Sequence, residues 1–364
     1  MKRNTYFTVL FLFLTFLSLG CSDDTDHSSN TGASRNFSMG FTTWSFGPNL
    51  QDVDDTYDFI DDNADIYVEH LDHTIPWNAY RNNLPLPPVF SNEILGRVNR
   101  KLETKELVLS IGLLNNNRDD LAEDIDGSVP VYTALNDEDI IDAYTKHVAY
   151  LANQFSPDYL VIAIEVNELL LRNPSLWPGY ESMIAEVTSR TRMAYPHLKI
   201  GASISLHNLF KPDNADTENY IATIWNHVDQ FDFVGISYYP FLKNQSSSIE
   251  FQEAFDFLHR NTTRPIAVVE SGHIAEDLIV PNLDVSISGN PTQQNAFLET
   301  LFDNAQAQDY LMVVWWAHRD YDALWEIFPT EVRDIGRLWR DTGLIDEAGD
   351  ERLALRTWQS NFAK

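Results

Sequence analysis

Cysteine is almost missing from this chain: among 364 residues there is one, Cys21, so no intrachain disulfide can hold the fold. Basic residues are scarce as well. Lysine and arginine together number 25 against 54 aspartates and glutamates, a formal charge of −29. So acidic a surface repels phosphate groups, which argues against nucleic acid and anionic lipid as partners and disfavours a strongly anionic polymer as ligand. No Gly-x-Gly-x-x-Gly loop follows an early strand, and no His-Glu-x-x-His occurs, which removes the usual marks of a dinucleotide site and of one large class of zinc site. What remains is a chain with 44% apolar residues, ample for a sizeable core.

The first residues read as an export signal. Lys2 and Arg3 precede an apolar run from Val9 to Leu19, broken only by Thr15 and Ser18 and too short to span a bilayer comfortably. The run ends Leu17-Ser18-Leu19-Gly20-Cys21, which resembles the lipobox of bacterial lipoproteins, with Leu19 where a small residue is commoner. That resemblance implies a signal peptide over 1–20, acylation of Cys21 and anchoring in the cell envelope, at the outer membrane or cell surface. Residues 21–36 are small, polar and acidic, without apolar partners, and read as a flexible tether. From Phe37 to Lys364 no second low-complexity break occurs, and the segment reads as one catalytic domain.

Within that domain eight apolar, β-rich runs alternate with helical stretches. The strand candidates are Ser38–Trp44, Asp65–His70, Glu106–Leu113, Tyr159–Val166, Lys199–Leu206, Phe231–Ser237, Pro265–Glu270 and Tyr310–Trp316. Strict alternation means parallel strands joined by helical crossovers, and eight nearly continuous apolar strands favour a closed (β/α)8 barrel over an open sheet. In such a barrel functional side chains come from the C-terminal ends of the strands and the loops beyond them.

Two of those ends carry a carboxylate after buried aliphatics. The fourth run closes Ile164-Glu165-Val166-Asn167-Glu168 and the seventh Val268-Val269-Glu270-Ser271. A carboxylate closing an apolar run is costly unless paired or used. Strands three units apart face one another across the barrel mouth, the arrangement that double-displacement cleavage of a glycosidic bond needs: one carboxyl protonates the leaving oxygen, the other attacks the anomeric carbon.

Asn-Glu after the fourth strand and Glu at the end of the seventh resemble the signature of clan A glycoside hydrolases, a family of retaining enzymes built on the TIM barrel. The resemblance implies Glu168 as acid/base, Asn167 as ligand of the substrate 2-hydroxyl and Glu270 as nucleophile. Glu165 is the competing local acid, but it lacks the preceding Asn and lies deeper in the strand. The clan also places a tyrosine beside the nucleophile and an indole floor under the sugar. These implied roles fall to Tyr239, with Tyr238 second, and to Trp316, with Trp315 as the alternative in register. Locally, Asn167-Glu168-Leu169-Leu170 followed by Leu176-Trp177-Pro178, together with Ser237-Tyr238-Tyr239-Pro240, resembles the arabinogalactan endo-β-1,4-galactanases. The first strand and the Trp315-Trp316-Ala317-His318 end depart from that family. Trp44 and Trp177, with Trp77, Tyr321 and Trp325, are candidate sugar-stacking aromatics, and His73 and His207 candidate hydroxyl ligands.

The expected function is therefore a retaining β-glycoside hydrolase acting on a polysaccharide or oligosaccharide, without cofactor or metal, touching the membrane through its lipid alone. Two rivals stand beside it. One is a metal-dependent barrel hydrolase using His70, Asp72, His73, His207, His273 and His318, although a His-x-His after the first strand is missing. The other is a glycan-binding lipoprotein that keeps the barrel and has lost the chemistry.

Overall fold

The computed structural model describes residues 34–72 and 74–364; the expected signal peptide, Cys21, most of the tether and His73 lie outside the described residues. Eight parallel strands close into a barrel. They are β1 (Ser38–Thr42), β2 (Ile66–Leu71), β3 (Glu106–Ile111), β4 (Tyr159–Val161), β5 (Lys199–Ser205), β6 (Phe233–Tyr238), β7 (Ile266–Ser271) and, after the antiparallel hairpin of β8 (Leu278–Val280) and β9 (Val285–Ile287), β10 (Met312–Trp315). The circuit runs β1-β10-β7-β6-β5-β4-β3-β2, with helices over its outer face, so the chain is a (β/α)8 barrel. Among the described residues no helix is long and apolar enough to cross a membrane.

Helix starts are written locally. Ser247 and Glu250 form a reciprocal capping box ahead of Ser248–Asn261, and Asn290 accepts from the Gln293 amide at 3.0 Å ahead of Pro291–Ala307. Arg35 and Asn36, expected in the tether, are already fastened to the barrel. Arg35 pairs with Asp65 at 2.7 Å, and Asn36 donates to the Gln306 carbonyl at 3.0 Å.

Strand pleating sorts the side chains into two cores. Ile66, Val68, Val108, Val161, Phe233, Ala267, Met312 and Val314 fill the barrel interior. Their alternate neighbours, such as Leu107, Leu109, Ile200, Ala202, Val234, Ile236 and Val313, pack outward against the helices. The interior is tight: a Cβ on Gly201 would lie 2.4 Å from the Phe233 ring. One step above the interior layer, the same parity points His70, Ser237 and Trp316 into the mouth.

Two irregularities set the catalytic face. Between β6 and β7, Ile236 pairs with Val268 but Ser237 pairs with Glu270, so Val269 is an extra residue on β7. A bulge of this kind re-aims the side chain that follows it. The fourth strand is shorter than its apolar run suggests. The ladder ends at Val161, and although Ser203 N still donates to Ala163 O, the next bond back to Ser203 O comes from Val166 N. Ile164 and Glu165 are thrown out of the ladder, with Glu165 at φ +49°. A non-glycine residue there costs about 1–2 kcal/mol, a strain that concentrates at functional sites.

Candidate active site

A cavity of about 500 Å³ opens at the C-terminal end of the barrel. Its walls include Glu270, Glu165, His70, Asp72, Arg118 and Trp316, with Trp44, Tyr321, Phe328 and Trp339 forming an aromatic flank. Tyr239 donates to Glu270 Oε1 at 2.6 Å. On the other side His70 Nδ1 lies 3.6 Å from Glu270 Oε2. Burial raises the Glu270 carboxyl above its ordinary value; the neighbouring His70 charge and the Tyr239 hydrogen bond oppose that rise, and Glu165 adds to it. Tyr239 itself is driven well above the usual phenol range by burial and by Glu270, so it remains a donor.

Glu165 completes the opposite wall. Ser237 donates to its Oε1 at 2.7 Å, and Arg118 Nη2 reaches its Oε2 at 3.2 Å. Arg118 also clamps Asp72 through both terminal nitrogens. Burial pushes Asp72 upward, but the guanidinium overrides it and holds the carboxyl well below the carboxylate range.

Glu168, expected beside Glu270, is the second residue of the short helix Asn167–Arg172, is 3% exposed, and is not among the residues lining this cavity. Its carboxylate accepts from Ser205 Oγ, from Asn208 Nδ2 at 2.8 Å and from Arg172 Nε at 3.2 Å, so its acceptor sites are occupied by the protein. Asn167 is likewise consumed: it accepts from the Ser205 amide at 2.8 Å and donates to Ser205 Oγ at 3.0 Å and to Tyr220 at 3.1 Å. The cause is the early end of β4, which puts Glu165 at the mouth and carries Asn167 and Glu168 one turn further, over β5.

Two more expected ligands also lie elsewhere. His207 is buried beside Glu168, and burial pushes its imidazole down to about 4. Trp177 is 3% exposed and packs on Tyr180 and His227 with ring centroids 5.0 and 5.1 Å away. The aromatic alternatives divide by pleat. Tyr239 and Trp316 face the mouth, whereas Tyr238 packs outward on Phe255 and Phe297, and Trp315 donates to the Thr342 carbonyl at 2.8 Å. Trp44 lies 5.2 Å from Trp316 across tilted rings. The histidines of the metal reading scatter: His70 is in the cleft, His273 bonds the Ile274 carbonyl at 2.9 Å, and His318 stacks on Phe59 at 4.6 Å. Arg118 escapes sequence reasoning because it sits in the middle of a long loop; Glu165 is visible in the sequence but lacks the preceding Asn that would mark it.

Comparison with known proteins agrees with the barrel fold. The chain resembles the GH53 catalytic domain of Ignisphaera aggregans, with a TM-score of 0.57 and 14% identity over 90% of this chain and 97% of that one. It resembles a GH5_18 structure from Bifidobacterium longum subsp. longum, with a TM-score of 0.62 and 15% identity over 90% and 79%. A structure of a fungal β-1,4-galactanase matches with a TM-score of 0.55 and 13% identity over 85% and 90%. No curated protein sequence matches. The family match on this barrel makes the chain a glycosidase, a retaining β-glycoside hydrolase. Residues 133–326 match the model of glycosyl hydrolase family 53, and the chain belongs to that family.

Proposed function

We propose that the protein is an envelope-anchored β-galactanase-like enzyme that hydrolyses a neutral β-linked galactan or oligosaccharide, with Glu270 as nucleophile and Glu165 as acid/base. The observation that carries the residue reading is the shared cavity: Glu270 and Glu165 line it together and Glu168 does not. Tyr239 fixes the Glu270 rotamer and favours its charged form, as attack on the anomeric carbon requires. Glu165, which lines the cavity together with Glu270, is assigned the protonation of the leaving oxygen and the later activation of water. Trp316 and Trp44 offer flat apolar faces for the sugar ring. The three carboxylates around the cavity, Asp72, Glu165 and Glu270, suit hydroxyl-bearing rather than anionic sugars.

The substrate reading rests on the family and on the resemblance to the fungal β-1,4-galactanase. Anchoring rests on the Leu17–Cys21 sequence alone. Product analysis on β-1,4-galactan beside other neutral β-glycans tests the substrate. Proton NMR of the first anomeric product tests the stereochemistry, with retention of the β configuration expected. Failure to release galactose-containing products from galactan, with turnover of another β-glycan, would replace the sugar and leave the mechanism standing.

A further inference from the structure

One imidazole in the barrel mouth stands between two carboxylates. His70 is the last inward-facing residue of β2, in line with Ile66 and Val68 below it. Its Nδ1 lies 3.6 Å from Glu270 Oε2 and its Nε2 3.8 Å from Asp72 Oδ2. The ring meets Trp316 at 5.2 Å and 84°, edge to face, which fixes its plane. Nδ1 is shielded from solvent and makes no hydrogen bond to the described residues, among which the Glu270 carboxylate is the anion it faces.

A charged His70 reduces the excess of negative charge around the cavity. Asp72, Glu165 and Glu270 are three carboxylates served by one guanidinium, Arg118, which bonds Asp72 and Glu165. The other arginine on the wall, Arg97, is taken by Glu69 and Glu93 at 3.0 and 3.1 Å. Among the described residues, His70 is the remaining basic side chain lining the cavity.

We propose that His70 is a positioning residue: held by Asp72 as an imidazolium, it keeps the Glu270 carboxylate charged and oriented for attack. This rests on Glu270 being the nucleophile. The groups facing His70 are Glu270 on β7, Asp72 beyond its own strand and Arg118 from the loop after β3; Glu165 and Tyr239 act on it through Glu270. Burial pulls the imidazole down, but Glu270 and Asp72 bring it above its ordinary value against the opposing Arg118 charge. Elsewhere burial wins: His227 falls to about 4 and His318 to about 3. Because the two groups titrate as a pair, each must shift the other equally.

The test is a histidine C2-proton NMR titration of the wild-type protein, with His70→Gln identifying the resonance. His70 should titrate above free histidine, and both Glu270→Gln and Asp72→Asn should lower it. In His70→Gln the acid limb of kcat/KM should move to higher pH, with about a tenfold loss of rate on that limb for every pH unit it moves. His70→Lys, which keeps a cation there, should restore part of the limb. A His70 resonance titrating below free histidine, or an acid limb unmoved in His70→Gln, overturns the proposal. Trapping the wild type with a 2-deoxy-2-fluoro glycoside checks the nucleophile separately. A label away from Glu270 removes the premise, and the proposal with it, whereas a label on Glu270 with an unmoved limb removes the proposal alone.

Discussion

The Tyr239 hydroxyl donates to Glu270 Oε1 at 2.6 Å from the neighbouring strand end, and the bond exists because Val269 is an extra residue on β7. Without that bulge Glu270 would share the outward parity of Val268, which packs under the helices. A hydrogen bond to a charged acceptor is worth about 1.5–3 kcal/mol, so Tyr239→Phe should lower kcat/KM by roughly 10- to 150-fold. Its acid limb should also rise in pH, since the phenol favours ionised Glu270. A Tyr239→Phe enzyme with unchanged rate and unchanged acid limb would show that the contact has no part in the reaction.

Glu165 and Glu168 should separate cleanly by leaving group. Glu165→Gln should cripple hydrolysis of an unactivated glycoside yet spare an aryl glycoside whose leaving group needs no proton. Glu168→Gln should show no such dependence. It should instead lower the melting temperature, because Ser205, Asn208 and Arg172 lose a buried charged acceptor, at about 1–3 kcal/mol. Leaving-group dependence in Glu168→Gln, and none in Glu165→Gln, would return the acid/base role to Glu168.

How far the sequence reaches is plain from these two residues. The barrel is legible because eight apolar runs alternate with helices, whereas the sequence leaves Tyr238 beside Tyr239 and Trp315 beside Trp316 as alternatives that the pleat of the folded strands separates. Glu270 is legible because it closes its run. The Asn167-Glu168 pair draws attention away from Glu165, since a motif is read by spacing while the ladder ends where hydrogen bonding ends, at Val161. The left-handed turn at Glu165 leaves no mark in the sequence, because the residue that adopts it is not glycine. Arg118 belongs to a loop, and its partners Asp72 and Glu165 lie far off in sequence, so nothing local announces the clamp.

Anchoring is tested at Cys21. In a bacterial host that processes lipoproteins, the wild-type chain should partition with membranes and Cys21→Ser should be released or remain unprocessed. Membrane partitioning that survives the substitution with normal processing would remove the lipid anchor.

Acid should begin to destabilise the fold below about pH 6.5, through a set of buried neutral histidines. An unfolded histidine takes up a proton near pH 6.5. In the folded chain burial defers that step to about 4 for His207 and His227 and to about 3 for His318. Between those values the unfolded chain binds more protons, so stability is complete above about pH 6.5 and falls as pH drops. Each such histidine contributes up to about 1.4 kcal/mol per pH unit. His70 works the other way and in a higher window: its contribution is complete below about pH 6.5 and is lost as the pH rises above that value. Asp72 enters in a lower window: its folded value is depressed, so its contribution persists until the pH falls below about 4, where unfolded aspartate is protonated. The melting temperature should therefore decline from pH 6.5 to 4.5, less than the imidazoles alone would give, because burial raises Asp320 and Glu270 and the folded chain takes up their protons first. His318→Gln, although less stable at pH 8 for losing its stack on Phe59, should show a shallower decline. An equal slope in His318→Gln would mean that this imidazole is not buried neutral.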